Sequence, residues 1–291
     1  MDNLLGVHAL VFSGGTQPED VARIVPRAAA AGYGLVEFSL HDCRPDAAPV
    51  IDTAGTRALL EQHGLQVAAS RGLAVDADVS SEDPAVVERG VELVRHSMQV
   101  THELGGRIVT GALYSAFGKA GAPLTDQGRA NVVASLRQVA GEAAELGMTL
   151  GLEICNRYET NVLNTAADAL RLADDIGADN VMIHLDTYHM NIEETDLVSP
   201  VLAVGDRLGY VHVGENHRGH LGGGHIDFPA FFRALASIGY AGPITFESFS
   251  DAVVMRSLSN DLAIWRTLWT DSDELAAHAY AMITGWQTAA V

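Results

Sequence analysis

One stretch in the middle of the chain, GMTLGLEICNRYETNVLNTAADALRLADDIGADNVMIHLD at residues 147–186, decides the fold. It begins with a short apolar run at 149–155, continues through a polar loop into an Ala- and Leu-rich segment at 165–176, and closes with a second apolar run at 181–186. Two short β-type runs on either side of a helical segment are the signature of a βαβ unit with parallel strands. Gly177 follows the helical segment directly, where a left-handed residue commonly ends a helix.

The same unit recurs in both directions along the chain. The predicted strands are 5–12, 34–40, 66–71, 107–113, 149–155, 181–186, 209–214 and 243–248. The predicted helices are 18–31, 53–63, 84–104, 126–146, 165–176, 195–207, 229–238 and 259–286. Eight βα units without a linker between them predict a single α/β domain over 1–291, a (β/α)8 TIM barrel. An open doubly wound sheet is disfavoured because no GxGxxG fingerprint follows the first strand.

Composition excludes several classes of protein. The chain has 291 residues with 18 Lys and Arg against 37 Asp and Glu, a formal net charge of −19, whereas nucleic-acid binding depends on clustered basic residues. No apolar run approaches the ~18 residues that cross a bilayer, and the first residues lack a basic region, so neither a membrane span nor a signal peptide is expected. Two cysteines, Cys43 and Cys155, fit a reducing compartment. We expect a soluble, cytoplasmic protein.

Candidate site residues follow from the barrel, because TIM-barrel active sites lie at the C-terminal ends of the strands. Six polar residues occupy such ends: Glu37 in strand 2, Glu153 in strand 5, His184 and Asp186 in strand 6, His212 in strand 7, and Glu247 in strand 8. Strands 5 to 8 are neighbours, so Glu153, Asp186, His212 and Glu247 should meet at the barrel mouth.

Three carboxylates and one imidazole at one place predict a divalent cation. One such residue alone would more simply be a solvated rim residue or a partner for Arg, but four at equivalent positions are hard to explain that way. Buried carboxylates cannot stay ionised together without compensation. Oxygen ligands with one imidazole suit Mn²⁺, Mg²⁺ or Co²⁺. His184 is interpreted as a supporting or core histidine, Glu37 as a structural hydrogen-bonding partner, and Cys155 as a buried thiol.

The loops that follow these strands carry further polar residues. They are NRYE at 156–159, TYHMN at 187–191 and ENHRGH at 215–220. Glycines interleaved at 219–224 favour a flexible lid that contacts a substrate over a second metal site. His220 and His225 are expected to be solvated loop residues.

Four motifs carry a resemblance to a known family: LEICNRYETNVLNT (152–165), HLDTYHMNIEE (184–194), YVHVGENHRG (210–219) and ITFESF (244–249). They resemble the D-tagatose 3-epimerase family, which includes the D-allulose (D-psicose) and L-ribulose 3-epimerases. A weaker similarity continues into the first half, in GLVEFSL (34–40) and SSEDPAVV (80–87). The resemblance implies the same four metal ligands that the barrel geometry selects, with Mn²⁺ or Co²⁺ as the usual ion and sometimes Mg²⁺.

The resemblance also implies an activity, the interconversion of C3 epimers of free ketoses such as D-fructose and D-allulose, D-tagatose and D-sorbose, or L-ribulose and L-xylulose. Glu153 and Glu247 would be the two catalytic bases, and Glu159, His189 and Arg218 would bind the oxygens at the C1 to C3 end. Loss of the C3 proton gives an enediolate that a cation stabilises. Inversion requires a second group that returns a proton from the opposite face.

The remainder of the sugar has weaker candidates. The loop after strand 4 resembles the family's pocket for the far carbons, with Tyr114 and Phe117 as possible contacts and Leu113 as a core residue. The first-half loops are expected to set substrate preference, and include His8, Phe12, Ser70 and Arg71.

Three alternatives remain open from the residues alone. An aldose–ketose isomerase of the same barrel type, similar to hydroxypyruvate or rhamnose isomerase, would move a proton between C1 and C2. A metal-dependent endonuclease for damaged DNA is disfavoured by the negative charge. A noncatalytic sugar-binding protein would not need two carboxylates around one cation.

The last predicted helix, 259–286, bears apolar residues at helical spacing. Leu262, Trp265, Leu268 and Trp269 are expected to pack on the barrel or to contribute to a subunit interface. The family is commonly dimeric or tetrameric, so a homodimer or homotetramer is expected.

Overall fold

Eight parallel strands form a closed barrel in which each strand pairs with the next and β8 pairs with β1. The computed structural model describes residues 1–45, 51–254 and 256–290. The strands are β1 (Leu5–His8), β2 (Leu35–Ser39), β3 (Gln66–Ser70), β4 (Ile108–Thr110), β5 (Thr149–Glu153), β6 (Val181–Asp186), β7 (Leu208–Val213) and β8 (Ile244–Phe246). The predicted (β/α)8 barrel is confirmed.

Helices surround the barrel and connect its strands. They are α1 (Pro18–Ala30), α2 (Thr53–His63), α3 (Pro84–Glu103), α4 (Asp126–Glu145), α5 (Ala166–Ile176), α6 (Thr187–Glu193), α7 (Ser199–Val204), α8 (Phe228–Ser237), α9 (Arg256–Asp261) and α10 (Ser272–Ala289). Local sequence fixes several ends. The Asp83 carboxylate accepts a hydrogen bond from the Ala85 N–H ahead of Pro84, and Gly177 ends α5 with φ of 67°.

Strand register places the predicted site residues side by side. Glu153, the last residue of β5, pairs with His184, and Asp186, the last residue of β6, pairs with His212. His212 pairs in turn with Thr245 of β8, two residues before Glu247. The four predicted ligands therefore reach the same end of the barrel from four consecutive strands.

Several strands are shorter than predicted, and β1 and β4 differ most from their predicted bounds. The predicted strand 107–113 ends at Thr110 because Gly111 adopts φ of 109°, a conformation outside the β region. The predicted strand 5–12 ends at His8 and is followed by a 3-10 turn, Ala9–Val11. β1 therefore ends at a polar residue, His8, and β4 is followed by a small one, Gly111, and both residues line the cavity at the barrel mouth.

The region after β6 differs from the prediction. The predicted loop 187–191 is helical, because the Asp186 carboxylate accepts from the Tyr188 N–H at 2.6 Å and so caps α6. The predicted helix 195–207 is reduced to α7 and a 3-10 turn, Gly205–Arg207. Helix α6 therefore begins at Thr187, directly after the last residue of β6.

The predicted continuous helix 259–286 is also wrong. It is divided into α9 and α10 by residues 262–271. Ala263 has φ of 54°, and the Asp271 carboxylate accepts from the N–H groups of Asp273 and Glu274, which starts a new helix. Trp269, in the intervening segment, is buried, whereas Trp265 is 70% exposed.

The described residues include no helix with both the length and the apolar composition needed to cross a membrane.

The barrel interior is filled by close contacts between small and large residues. A Cβ on Gly151 in β5 would lie 2.3 Å from the Thr110 Oγ1 and 2.8 Å from the Thr110 Cβ. Thr110 is fully buried and its hydroxyl lies 2.7 Å from the His184 Nδ1. Only glycine therefore fits at position 151 without displacing a residue that contacts His184.

We predict that Gly151→Ala lowers the free energy of unfolding by about 1–3 kcal/mol, because it overfills this part of the barrel. Gly141→Ala in α4 is the matched control, since nothing lies within 4 Å of its added Cβ, and it should raise stability by about 0.5–1 kcal/mol through helix propensity. Urea unfolding measures both. Equal stability of Gly151→Ala and wild type would contradict the packing argument.

Candidate active site

The four predicted metal ligands form one buried cluster at the barrel mouth. Ligand atoms of Glu153, Asp186, His212 and Glu247 all lie within 4.8 Å of one another. The His212 Nδ1 lies 3.3 Å from the Glu153 Oε1, 3.7 Å from the Asp186 Oδ2 and 3.6 Å from the Glu247 Oε2. The imidazole nitrogen is thus surrounded by three carboxylates.

Glu37 determines which way the His212 ring presents its nitrogens. The His212 Nε2 donates a hydrogen bond to the Glu37 Oε2 at 2.8 Å, and the Tyr210 hydroxyl donates to the same oxygen at 2.8 Å. In the neutral ring, with its proton on Nε2, the lone pair of Nδ1 faces the three carboxylates and is available to a cation. Among the described residues, that buried Nδ1 has no hydrogen-bond partner. The predicted hydrogen-bonding role of Glu37 matches this position.

The electrostatics of the cluster are unfavourable for protein groups alone. Burial raises the pKa of Glu153, and the nearby charge of Glu247 raises it further. Burial lowers the pKa of His212, but Glu37 and Glu247 outweigh burial and raise it. A divalent cation would satisfy the orphaned Nδ1 and compensate the carboxylates, so the residues fit the predicted metal.

Arg218 places a permanent positive charge against the cluster. One of its terminal nitrogens donates to the Glu247 Oε2 at 2.6 Å and lies 3.4 Å from the Asp186 Oδ2. The guanidinium lies over the Tyr188 ring at 3.8 Å and the Phe249 ring at 4.8 Å. Held between two rings and two carboxylates, Arg218 has one orientation in which to meet a substrate oxygen.

His189 and Glu159 are oriented by one residue, Asn156. The His189 Nδ1 accepts from the Asn156 backbone N–H at 3.1 Å and from its Nδ2 at 2.9 Å, so the ring carries its proton on Nε2. The Asn156 Nδ2 also donates to the Glu159 Oε1 at 2.9 Å. The His189 Nε2 lies 3.7 Å from the Glu159 Oε2 and 3.7 Å from the Asp186 Oδ2. Both side chains are thereby directed to the space above the cluster.

A cavity of about 500 Å³ lies above the cluster. Both candidate bases line it, together with Glu159, His189, Arg218 and Phe117. The C-terminal segment closes one side with Leu262, Ala263, Ile264, Trp265, Arg266 and Leu268. The sequence did not place this segment at the cavity, because its apolar spacing also fits a helix that packs on the barrel.

Tyr114 is not where the sequence predicted it. The ring is fully buried and is not among the described residues that line the cavity, and its hydroxyl donates to the Glu153 backbone oxygen at 2.6 Å. The expected contact between Tyr114 and the far carbons of a sugar is therefore corrected: Tyr114 holds the end of β5, next to a candidate base.

Of the first-half residues expected to set substrate preference, three line the cavity and one does not. His8, Ser70 and Arg71 line the cavity, with the His8 Nε2 3.2 Å from the Ser70 Oγ and 3.8 Å from the Glu247 Oε1. Phe12 is buried away from it, with the Arg27 guanidinium over its ring at 5.1 Å. An expected influence of Phe12 on substrate preference has no direct contact to support it.

Two buried residues beside the cluster match their expected structural roles. His184 lies beneath His212, with ring centroids 4.2 Å apart. Burial raises the pKa of the Cys155 thiol well above its ordinary value, so the sulfur stays protonated.

The glycine-rich loop after β7 is held by Glu215, one of the polar loop residues in the sequence, for which the sequence alone assigns no specific role. The fully buried Glu215 accepts from the Gly222 N–H at 3.0 Å and the Ile226 N–H at 3.3 Å. Neither His220 nor His225 is among the described residues that line the cavity. The His220 Nε2 lies 2.7 Å from the Glu274 Oε2, and the His225 Nε2 lies 3.1 Å from the Asn191 Oδ1. Glu215 and Asn156 each directly follow a predicted strand. A polar residue in that position is the signal in the sequence that points to a role beside the site.

Comparison with known proteins identifies this arrangement. Residues 25–275 match the family described as xylose isomerase-like TIM barrel. The chain is 48% identical over 278 residues to the L-ribulose 3-epimerase of Methylomonas sp. (strain DH-1), covering 96% of each chain. It is 48% identical over 285 residues to the ketose 3-epimerase of Arthrobacter globiformis, covering 98% of this chain and 97% of that one.

The chain belongs to the ketose 3-epimerases of the xylose isomerase-like TIM barrel family. The resemblance to the D-tagatose 3-epimerase family is thus confirmed. A crystal structure of a D-allulose 3-epimerase from Methylomonas sp. in complex with D-allulose superposes with a TM-score of 0.94 at 47% identity, covering 97% of this chain and 96% of that one.

We predict that Glu37→Gln weakens Mn²⁺ binding by about 10–100-fold, because the amide replaces the carboxylate that orients and polarises His212. Titration calorimetry of the metal-free protein with Mn²⁺ measures the change. Glu142→Gln in α4 is the matched control, because Glu142 pairs with Arg95 on the outer face of the barrel. An Mn²⁺ affinity of Glu37→Gln equal to that of the control would contradict the role of Glu37.

Proposed function

We propose that this chain interconverts C3 epimers of free ketoses, among them D-fructose and D-allulose, D-tagatose and D-sorbose, and L-ribulose and L-xylulose. One observation carries the proposal: two buried carboxylates, Glu153 and Glu247, reach the same cavity from β5 and β8, the two ends of a four-strand arc. Groups placed at the ends of an arc can approach one carbon from different sides.

In the proposed reaction one of these carboxylates removes the C3 proton and the other delivers a proton to the opposite face of C3. The two exchange roles when the reaction runs in reverse, as microscopic reversibility requires. The His189 Nε2–H and the Arg218 guanidinium would donate to oxygens at the C1 to C3 end, and Glu159 would accept from a hydroxyl there. A divalent cation held by the four ligands would stabilise the negative charge that develops on the C2 and C3 oxygens.

We propose Mn²⁺ as the cation, with Co²⁺ or Mg²⁺ as alternatives. Three carboxylates and a single imidazole form a mainly oxygen-based set, which such cations prefer to a thiolate-rich one. Cys155 is not part of this set, and burial favours its protonated form, which is a poor metal ligand.

The organisation of the protein is part of the proposal. We propose one domain over 1–291, a homodimer or homotetramer, and a cytoplasmic location without nucleic-acid or membrane partners. The pairing of β1 with β8 supports a single domain. Trp265 is an apolar side chain that is 70% exposed and that a second subunit would cover. Cys43 and Cys155 are both free thiols, which supports a reducing compartment such as the cytoplasm.

Incubation of the Mn²⁺-loaded protein with D-fructose, D-tagatose and L-ribulose in D₂O tests the proposed activity. We expect the C3 epimer of at least one ketose, with deuterium at C3 of the product and none at C1. Deuterium at C1 of the recovered ketose, together with an aldose product labelled at C2, would identify an aldose–ketose isomerase instead. Failure to form an epimer of any of the three would contradict the proposal.

We predict that Glu153→Gln and Glu247→Gln each reduce kcat by about 10²–10⁴-fold at saturating Mn²⁺, because each removes one of two bases. The two variants should differ in the proton that they still exchange. In D₂O each should label C3 of one epimer only, and the two variants should label opposite epimers.

Glu193→Gln is the matched control, since Glu193 pairs with Arg157 outside the described cavity lining and should keep normal turnover. Circular dichroism checks that each variant is folded. If both variants exchanged the same epimer, or either kept a normal kcat, the assignment of two bases would be wrong.

A further inference from the structure

Arg218 has a backbone conformation that long side chains rarely adopt. Its φ is 60°, in the left-handed region that normally favours glycine. Such a conformation persists only where surrounding contacts impose it, and it is found most often at functional sites. Glycine would remove the strain but also the guanidinium that contacts Glu247, so contacts in the fold must hold the arginine in place.

Two hydrogen bonds restrain the Arg218 backbone. Its N–H donates to the Glu215 backbone oxygen at 2.9 Å, within the same loop. Its carbonyl oxygen accepts from the Ser248 hydroxyl at 2.5 Å. Ser248 is fully buried and directly follows Glu247, so the hydroxyl ties the loop after β7 to the residue beside a candidate base.

Trp269 fixes the direction in which the Ser248 hydroxyl donates. The indole Nε1–H donates to the Ser248 Oγ at 2.8 Å. An indole N–H only donates, so it occupies a lone pair of the hydroxyl and leaves the hydroxyl proton for the Arg218 carbonyl. The Trp269 carbonyl in turn accepts from the Ser250 hydroxyl at 2.6 Å, which holds the tryptophan in position.

The position of the Arg218 side chain leaves little room for displacement. A Cβ on Gly214 would lie 3.0 Å from the terminal nitrogen of Arg218 that bonds Glu247. Because the Arg218 guanidinium contacts Glu247 and the rings of Tyr188 and Phe249, a shift of the Arg218 backbone would change all three contacts. Neither Ser248 nor Trp269 is among the described residues that line the cavity, so the Ser248 hydroxyl contacts the site through the Arg218 backbone and does not face a substrate directly.

We propose that Ser248 and Trp269 are positioning residues for Arg218, and that their hydrogen-bonded chain fastens the substrate-binding arginine to the C-terminal segment 262–271. The inference rests on the proposed function, because Arg218 is taken to bind a ketose oxygen. It assigns a role in turnover to a segment that lies between α9 and α10, outside the repeating βα units.

The test compares Ser248→Thr with Ser248→Val, two side chains of the same shape of which only threonine has a hydroxyl. Steady-state kinetics are measured with Mn²⁺ and the ketose that the wild type turns over best. Because a misplacement of about 1 Å can cost about 100-fold in rate, and Arg218 keeps its other contacts, we expect Ser248→Val to lose about tenfold in kcat/KM relative to Ser248→Thr.

Trp269→Phe, which keeps the ring and removes the donor, should lose a similar factor in the wild-type background and little more in the Ser248→Val background, because residues of one hydrogen-bonded chain are not additive. Trp286→Phe is the matched control. Trp286 stacks on Phe228 with centroids 4.5 Å apart and should have wild-type kcat/KM.

Equal kcat/KM for the threonine and valine variants would overturn the inference, as would additive losses for Trp269→Phe and Ser248→Val. Either result would leave the proposed function intact, provided that the wild type forms a C3 epimer. A wild type that turns over no ketose would contradict the proposed function and, with it, this inference. Thermal unfolding of each variant shows how much of a loss follows from general destabilisation, because removal of the Ser248 hydroxyl also leaves the Trp269 indole and the Arg218 carbonyl without this partner.

Discussion

The structure depends on one constraint: one ring nitrogen of a histidine, the His212 Nδ1, lies buried among three carboxylates. Within the part of the chain that the structure describes, the His212 Nδ1 has no hydrogen-bond partner, and the carboxylate oxygens of Glu153, Asp186 and Glu247 surround it at 3.3 to 3.7 Å. Such a cluster is costly in a folded chain unless a cation compensates it. The barrel provides the four strand ends, and the rest of the site keeps these groups oriented.

Most ligands in the cluster also have a structural attachment. The Asp186 carboxylate caps α6 with one oxygen while the other faces His212, and the backbone oxygen of Glu153 accepts from Tyr114. His212 is fixed by Glu37 from below. Because each attachment is part of the fold itself, the site geometry is set before any substrate arrives, which is the condition under which buried polar groups contribute most to catalysis.

Sequence reasoning predicted the parts of the molecule that depend on local pattern. Alternating apolar and helical segments gave the barrel, and the polar ends of neighbouring strands gave the cluster. It failed where a side chain has two possible uses. Asp186 is both a candidate ligand and a helix cap, and the sequence pattern alone does not show the helix that begins after it. The resemblance of the strand 4 loop to the family's pocket predicts a substrate contact for Tyr114, whereas its hydroxyl is bonded to the Glu153 backbone.

The claim that a cation organises the site is tested most directly by anomalous diffraction from crystals of the Mn²⁺-loaded protein. We predict one anomalous peak per chain at about 2–2.5 Å from the His212 Nδ1, with carboxylate oxygens of Glu153, Asp186 and Glu247 as the other protein ligands. No peak at that position, or a peak that His212 does not contact, would contradict the account.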